Sequence, residues 1–226
     1  MGKAAAIRGI LFGRDKFRFS LSSGSRSDCE QCGKPLPLGR RRGYRMDVAA
    51  ELYTELLSVL EDDRRAHSLA VGLKVECAAG HVLPRLRGDL VAAATLHDIG
   101  YGHDVTGFHP LDGARFLAAE GFSPTVCHLV AHHSASTYEA EERGIDLAAY
   151  GEFRAPCEGL GPAHAVLWWA DLTTGPQGQD TSVEERLDDI ASRYAPDEVV
   201  ARNAAKNRAV LLAAGQTPTG SIQVRC

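Results

Sequence analysis

The side chains most able to do chemistry are histidines and aspartates spread through the middle of the chain. Seven of them form five groups: His67, the doublet His97-Asp98, His109, the pair His132-His133, and Asp171. The separations are 30 residues from His67 to His97, 11 from Asp98 to His109, 23 from His109 to His132, and 39 from His132 to Asp171. Neutral imidazoles and carboxylates bind divalent metals, and a carboxylate can bridge two ions. We therefore predict a site for one or two divalent ions, drawn from Fe, Mn, Ni, Co, Zn and Mg.

The elements that must bring these residues together are helices. Apolar residues recur at helical spacing almost continuously from Met46 onward, and few segments alternate with a period of two. Ser182 and Glu185 have the spacing of a capping box, which predicts a helix start. The pattern predicts an all-α bundle in which each helix aims a side chain at a common centre. The predicted helices are 46–62, 66–78, 89–96, 110–120, 124–133, 139–143, 162–171, 182–194 and 196–214.

In this order, the seven residues and their flanking sequences resemble the HD superfamily of metal-dependent phosphohydrolases. The resemblance covers about residues 50–175 and is carried by five segments: RRAHSLAVG, ATLHDIGY, HPLDGARFL, LVAHHS and WWADLTT. It implies the helical bundle of an HD domain, which we expect over residues 46–215. HD-GYP proteins have Lys after the Gly of the doublet motif, where this chain has Tyr101, and their Gly-Tyr-Pro signature is missing here. The resemblance is therefore to a binuclear type of HD protein and not to a true HD-GYP.

The resemblance also implies a set of metal ligands. The first ion would be held by His67, His97, Asp98 and Asp171, and Asp98 would bridge to a second ion held by His109 and His132. Adjacent residues of a helix point about 100° apart, so His132 and His133 are not equivalent. We predict that His132 is the ligand and that His133 orients it or faces the substrate.

The function implied by this resemblance is hydrolysis of a phosphate ester or anhydride of a small metabolite or nucleotide. A hydroxide activated by the metal would attack phosphorus, since coordination lowers the pKa of water. Two alternatives remain open at this point. One is a di-iron oxygenase of the same superfamily, and the other is a non-catalytic module that senses a nucleotide.

Other residues are candidates for catalysis or for substrate binding. Beside Asp98, we consider His133 and His103 as catalytic residues, because both lie near the predicted ligands in the sequence. Arg64 lies three residues before His67, on nearly the same helical face, and Lys74 lies two turns beyond it; both are candidates to bind the phosphate of a substrate.

The charge of the chain is divided unequally. Residues 1–45 contain eleven Lys/Arg and three Asp/Glu, a net charge of +8, whereas the other 181 residues have a net charge of −12. We expect 1–45 to be a poorly structured, Gly/Ser-rich basic segment in which Cys29-x-x-Cys32 is a degenerate Cys motif, and 216–226 to be a tail. An acidic body makes nucleic acid an unexpected partner.

The compartment and the partners follow from what the sequence lacks. No run of about 18 apolar residues is present, so no membrane partner is expected, and the basic start has no apolar stretch typical of a signal peptide. We expect a cytoplasmic protein that binds a small phosphorylated substrate. Nothing in the sequence indicates its oligomeric state.

Overall fold

The computed structural model describes residues 51–82 and 84–216, and these residues are predominantly helical. Residues 51–57 form a first helical stretch. The helices that follow are α1 (Asp62–Val82), α2 (Arg87–Leu96), α3 (His109–Ala119), α4 (Pro124–Ala131), α5 (Ser136–Glu142), α6 (Gly161–Leu172), α7 (Val183–Arg193), α8 (Val199–Lys206) and α9 (Arg208–Ala214). Three short 3₁₀ helices lie between them, at Ile99–Gly102, His133–Ala135 and Leu147–Phe153.

The all-α prediction is confirmed. Within the described ranges the structure contains no strand, and its one isolated β-bridge joins Thr174 to Asp180 in the loop after α6. No helix in this part of the chain combines the length and the apolar character needed to cross a membrane. The expectations for residues 1–45 and for most of the C-terminal tail lie outside the described residues.

Several helix ends follow the local sequence signals. The side chain of Ser182 accepts a hydrogen bond from the backbone N–H of Glu185, and the Glu185 carboxylate accepts one from the N–H of Ser182, so the predicted capping box is confirmed. Ser123 caps α4 in the same way, through the N–H of Val126. These caps fix where the chain enters α7 and α4.

Several predicted helices have different bounds in the structure: the one predicted for 46–62 is helical over 51–57 within the described residues, and α1 begins at Asp62 and not at 66. The long helix predicted for 196–214 is two helices, α8 and α9, which are separated at Asn207. Asn207 has a φ of −103° and a ψ of 14°, which depart from helical values, and its side chain donates to the side-chain oxygen of Asn203, one turn earlier. The helix predicted for 124–133 ends instead at Ala131, two residues earlier.

The core around the predicted ligands forms where α1, α2, α4 and α6 pack on one another. Its largest fully buried side chains include Leu90 and Leu96 of α2, Leu129 of α4 and Leu167 of α6. A second cluster, which includes Val183, Leu187 and Leu211, joins α7 and α9 to the end of α6. Burial of apolar area in these clusters stabilises the helices that carry the polar residues.

Two glycines allow the segment after the His-Asp doublet to lie directly on α3. A Cβ atom on Gly100 would be 2.0 Å from the carbonyl oxygen of His109 and 2.7 Å from the nitrogen of Gly113. A Cβ atom on Gly113 would in turn be 3.0 Å from the nitrogen of Gly100. This backbone contact brings the start of α3, and therefore His109, next to Asp98.

Replacement of Gly100 by Ala is expected to destabilise the protein, because the new methyl group meets backbone atoms that cannot rotate away. We expect a loss of about 1–3 kcal/mol in the free energy of unfolding, the usual cost of overpacking. Gly88→Ala is the matched control: Gly88 lies in α2, and nothing beyond its own stretch of helix lies within 4 Å of the place where a Cβ atom would be, so its stability should be equal or slightly higher. Thermal and urea unfolding of both variants would measure the difference. Equal stability of the two variants would contradict the packing described for Gly100.

Candidate metal centre

Five helices present six of the seven candidate residues to one place. His67 lies within α1, His97 and Asp98 directly follow α2, and His109 is the first residue of α3. His133 lies just beyond α4, and Asp171 is in the last turn of α6. All but His109 are buried, with exposed fractions of 9% or less. Residues far apart in the sequence therefore meet in a polar cluster inside an apolar core.

Three of the imidazoles are held in a fixed orientation by backbone carbonyls. The Nδ1 atom of His67 lies 3.0 Å from the carbonyl oxygen of Gly175, that of His97 lies 2.8 Å from Ala94, and that of His133 lies 2.6 Å from Val130. A carbonyl can only accept, so each Nδ1 carries the proton and donates it. Each Nε2 atom is consequently unprotonated in the neutral ring, with its lone pair free to bind a metal.

The carboxylate of Asp171 faces this set of nitrogens with one of its oxygens. Its Oδ1 atom lies 3.0 Å from His67 Nε2 and 3.6 Å from His97 Nε2. Its Oδ2 atom accepts a hydrogen bond from the hydroxyl of Ser134. One oxygen is thus bound by the protein, and the other is available to a ligand in the centre.

Asp98 is arranged in the same way. Its Oδ1 atom lies 3.6 Å from His97 Nε2, 3.5 Å from His109 Nε2 and 3.9 Å from His133 Nε2. Its Oδ2 atom accepts a hydrogen bond of 2.6 Å from Arg64 Nη1. Arg64 therefore occupies one oxygen of Asp98, and the other oxygen faces the histidines.

The cluster has the donor atoms of a cation site. Two groups of three residues have their ligand atoms within 4.8 Å of one another: His67, His97 and Asp171, and His97, Asp98 and His133. The two groups share His97, whose Nε2 atom is buried without a hydrogen-bond partner. A buried lone pair surrounded by other acceptors is unfavourable unless a cation lies between them. The residues present therefore fit divalent ions with a preference for nitrogen and oxygen ligands.

The pKa values reflect the same arrangement. Burial opposes the charged form of Asp98, but His97, His109 and Arg64 hold the pKa of its carboxyl well below the usual range. Burial also opposes charge on His97, yet the carboxylates of Asp98 and Asp171 raise its pKa to about 9. Without metal, a proton on His97 would partly balance the two carboxylates, and a metal ion would have to displace it.

A stack of side chains covers one side of the cluster. The Tyr101 ring lies on the His109 ring, with their centroids 4.0 Å apart, and the Arg64 guanidinium lies 3.5 Å from the centroid of Tyr101. The Arg64 side chain is 36% exposed and Tyr101 is 47% exposed. The predicted substrate-binding residue Arg64 is thus placed at the mouth of the cluster, between Asp98 and solvent.

The structure places the two adjacent histidines differently, and His132, the predicted ligand, is the one that lies outside the cluster. The Nε2 atom of His133 lies 3.2 Å from His109 Nε2, inside the cluster, whereas His132 lies outside it. The His132 Nδ1 atom donates to the carbonyl oxygen of His128, and its ring packs against Tyr150. The physical reason is the end of α4 at Ala131, which turns His132 away and His133 inward.

Two other sequence-based assignments do not reach the cluster. The ring of His103, a catalytic candidate, stacks on Phe116 with a centroid distance of 3.5 Å. Lys74, a candidate to bind phosphate, donates instead to the Thr173 carbonyl at 2.8 Å and to Asp180 at 2.7 Å. Lys74 is two turns beyond His67 on α1, and this distance carries it to the loop after α6. Its role here is to hold that loop.

One residue of the centre was missed in the sequence. Ser134, which donates to Asp171, follows the histidine pair in the segment LVAHHS. Its backbone has a positive φ of 46°, a conformation that the hydrophobic pattern of a sequence does not reveal. A serine next to predicted ligands was the only available signal.

The two adjacent histidines are expected to behave differently on substitution. His133→Ala removes a nitrogen from the cluster and should weaken metal binding by at least about tenfold, since even partners outside the ligand set cost that much. His132→Ala is the matched control and should retain the metal of the unmodified protein. Elemental analysis of both purified variants after dialysis would measure this, and a loss confined to His132→Ala would contradict the geometry.

Comparison with known proteins agrees with this architecture. A family model described as the HD domain matches residues 64–197, more than half of the chain. Searches of curated proteins and of solved structures found no match. The matched range contains every residue of the cluster, from Arg64 and His67 to Asp171. With its helical fold and its His/Asp cluster, the chain belongs to the HD superfamily of metal-dependent phosphohydrolases.

Proposed function

We propose that this protein is a hydrolase that uses divalent metal to cleave a phosphate ester or anhydride of a small metabolite or nucleotide. The observation that carries the proposal is the pair of ligand groups that meet at His97, inside a domain of the HD superfamily. Buried imidazoles and carboxylates with preset tautomers are what a resident catalytic ion requires. A solvent-exposed acidic patch would not have this organisation.

We assign the ligands as follows. His67, His97, Asp98 and Asp171 would hold one ion, and Asp98, His109 and His133 would hold a second; His97 has a single free lone pair and would therefore serve one ion only. This replaces His132, the ligand expected from the sequence, by His133. Asp98 would contribute its Oδ1 atom, since Arg64 binds its Oδ2 atom.

When bound, divalent ions supply a water activated for attack at neutral pH and neutralise the oxygens of the phosphate. The residues of the chain hold the ligand geometry and keep both aspartates ionised, as their lowered pKa values require. The Nδ1 atom of His133 is bonded to a backbone carbonyl, and its Nε2 atom faces the other residues of the cluster. This arrangement supports a role for His133 as a metal ligand and not as a general acid.

Arg64 is the residue best placed to contact the phosphate. It uses Nη1 to bind Asp98, and a guanidinium has further N–H donors that point away from that bond. Its side chain is partly exposed, so an incoming phosphate can reach it. Arg64 would then contact both the substrate phosphate and the metal ligand Asp98, and so hold the substrate in a fixed orientation relative to that ligand.

The partner we propose is a small phosphorylated molecule. Residues 46–226 have a net charge of −12, so the positive charge that attracts a phosphate must come from bound metal and from Arg64. A nucleic-acid or membrane surface would require a broad basic face in this part of the chain. We also propose a cytoplasmic location.

Turnover is expected to depend on Asp98. The purified protein, loaded with Mn, Fe, Co, Ni or Mg, would be tested on phosphate esters and nucleotides by phosphate release. Asp98→Ala should lower kcat/KM by more than about a hundredfold, because a metal ligand matters more than the residues that orient it. Asp188→Ala is a matched control, since Asp188 lies on α7, is exposed and pairs with Arg208 at the surface.

Failure of every phosphate substrate, with metal bound, would contradict the proposed hydrolysis. The same preparations also test the oxygenase alternative. Oxygen consumption by the iron-loaded protein, without phosphate release in any metal form, would favour that chemistry. Binding of a nucleotide without any turnover would favour a sensing module.

Arg64 is expected to affect substrate binding and turnover together. Arg64→Lys keeps the charge but loses the planar donor set that binds Asp98 and a phosphate at once, so kcat/KM should fall by about 10–100-fold. Arg65→Lys is the control on the neighbouring residue, whose guanidinium pairs with Asp62 at the surface. Steady-state kinetics would compare the two variants, and equal effects would contradict the role assigned to Arg64.

A further inference from the structure

The segment that follows His133 has an unusual backbone. Ser134 and Ala135 have φ values of 46° and 57°, and they are the only non-glycine residues with positive φ in the part of the chain that the structure describes. This left-handed conformation is unfavourable for residues with a Cβ atom. Two such residues in succession persist only where the surroundings fix them.

The surroundings do fix this segment. Trp168 Nε1 donates to the carbonyl oxygen of His132 at 2.9 Å, just before it. Ser136 Oγ donates to the carbonyl oxygen of Ala131 at 2.7 Å, just after it, and Tyr150 donates to Ser136 Oγ at 3.0 Å. These bonds tie both ends of the segment to buried parts of α4, α6 and the 3₁₀ helix at Leu147–Phe153.

This backbone conformation has one effect on the cluster. It turns the Ser134 hydroxyl onto Oδ2 of Asp171, a residue 37 positions later in the chain. The Oδ1 atom of Asp171 then points to His67 and His97. If α4 continued as a regular helix, the side chain at position 134 would point about 200° away from the one at position 132. The left-handed backbone gives the hydroxyl a different direction from the one that a helix would give it.

We propose that Ser134 is a positioning residue for metal binding: its hydroxyl holds Asp171 with Oδ1 toward the ion, and the left-handed backbone is retained because it delivers that hydroxyl. This inference rests on the metal site of the proposed function. It adds a residue that none of the predicted ligand sets includes. The strained backbone at Ser134 therefore serves to orient the Asp171 ligand.

Three variants separate the hydroxyl from the backbone. Ser134→Ala removes the hydroxyl and keeps a Cβ atom in the left-handed conformation. Ala135→Gly relieves backbone strain and leaves the hydroxyl in place, so it is the matched control. Ser134→Gly does both, and it keeps the test usable if the alanine variant folds poorly.

The full-length protein would be freed of metal by dialysis against a chelator and titrated with Co²⁺, whose visible spectrum reports ligand geometry. We expect Ser134→Ala and Ser134→Gly to bind Co²⁺ about tenfold more weakly, with an altered spectrum, while Ala135→Gly binds like the unmodified protein. Thermal unfolding of the metal-free forms should show Ser134→Gly to be more stable than Ser134→Ala, because glycine relieves the left-handed backbone.

Unchanged affinity in both Ser134 variants would overturn the inference, and so would an equal loss in Ala135→Gly, which would assign the effect to the backbone. Absence of Co²⁺ binding by the unmodified protein would overturn it together with the metal site. Co²⁺ binding with the expected order of affinities, but without hydrolysis of any phosphate substrate, would support the inference while the proposed function fails.

Discussion

The arrangement of the cluster depends on hydrogen bonds from surrounding residues that orient each of its donor atoms. Lone pairs of His67, His97 and His133 face the oxygens of Asp98 and Asp171, an arrangement that is repulsive without a cation. Each is kept in place by a bond on its other side: the imidazoles by backbone carbonyls, Asp98 by Arg64 and Asp171 by Ser134. The fold thus bears the cost of assembling the ligands before any ion arrives.

The ends of helices supply much of this external support. The last carbonyls of a helix have no partner within it, and they are free to accept from a side chain that follows. Ala94 and Val130 lie three residues before His97 and His133, and each accepts the Nδ1 proton of its histidine. The end of α2 and the end of α4 therefore select the tautomer of the ligand that follows them. The residue at which each of these helices ends therefore determines which nitrogen of the following histidine can bind a metal.

The bundle and most of the cluster could be predicted from the sequence, because helical periodicity and the order of the His and Asp segments are local signals. The placement of His133, and not His132, in the cluster could not be predicted. Adjacent residues of a helix point about 100° apart, so the residue at which α4 ends decides which histidine faces the cluster. The roles of Lys74 and Ser134 also escaped prediction. They depend on the loop after α6 and on a left-handed turn, both of which are set by tertiary contacts.

The loop at residues 173–180 has a consequence beyond its own shape. It is joined to α1 by Lys74, by the bond from His67 to Gly175, and by the close approach of Gly178 to the carbonyl of Ala66. Because Gly175 sets the orientation of His67, the order of this loop and the affinity of the cluster for an ion would be thermodynamically linked, and such a coupling is reciprocal. Whatever loosens this surface loop raises the concentration of metal that the protein needs, and saturation with metal tightens the loop by the same factor.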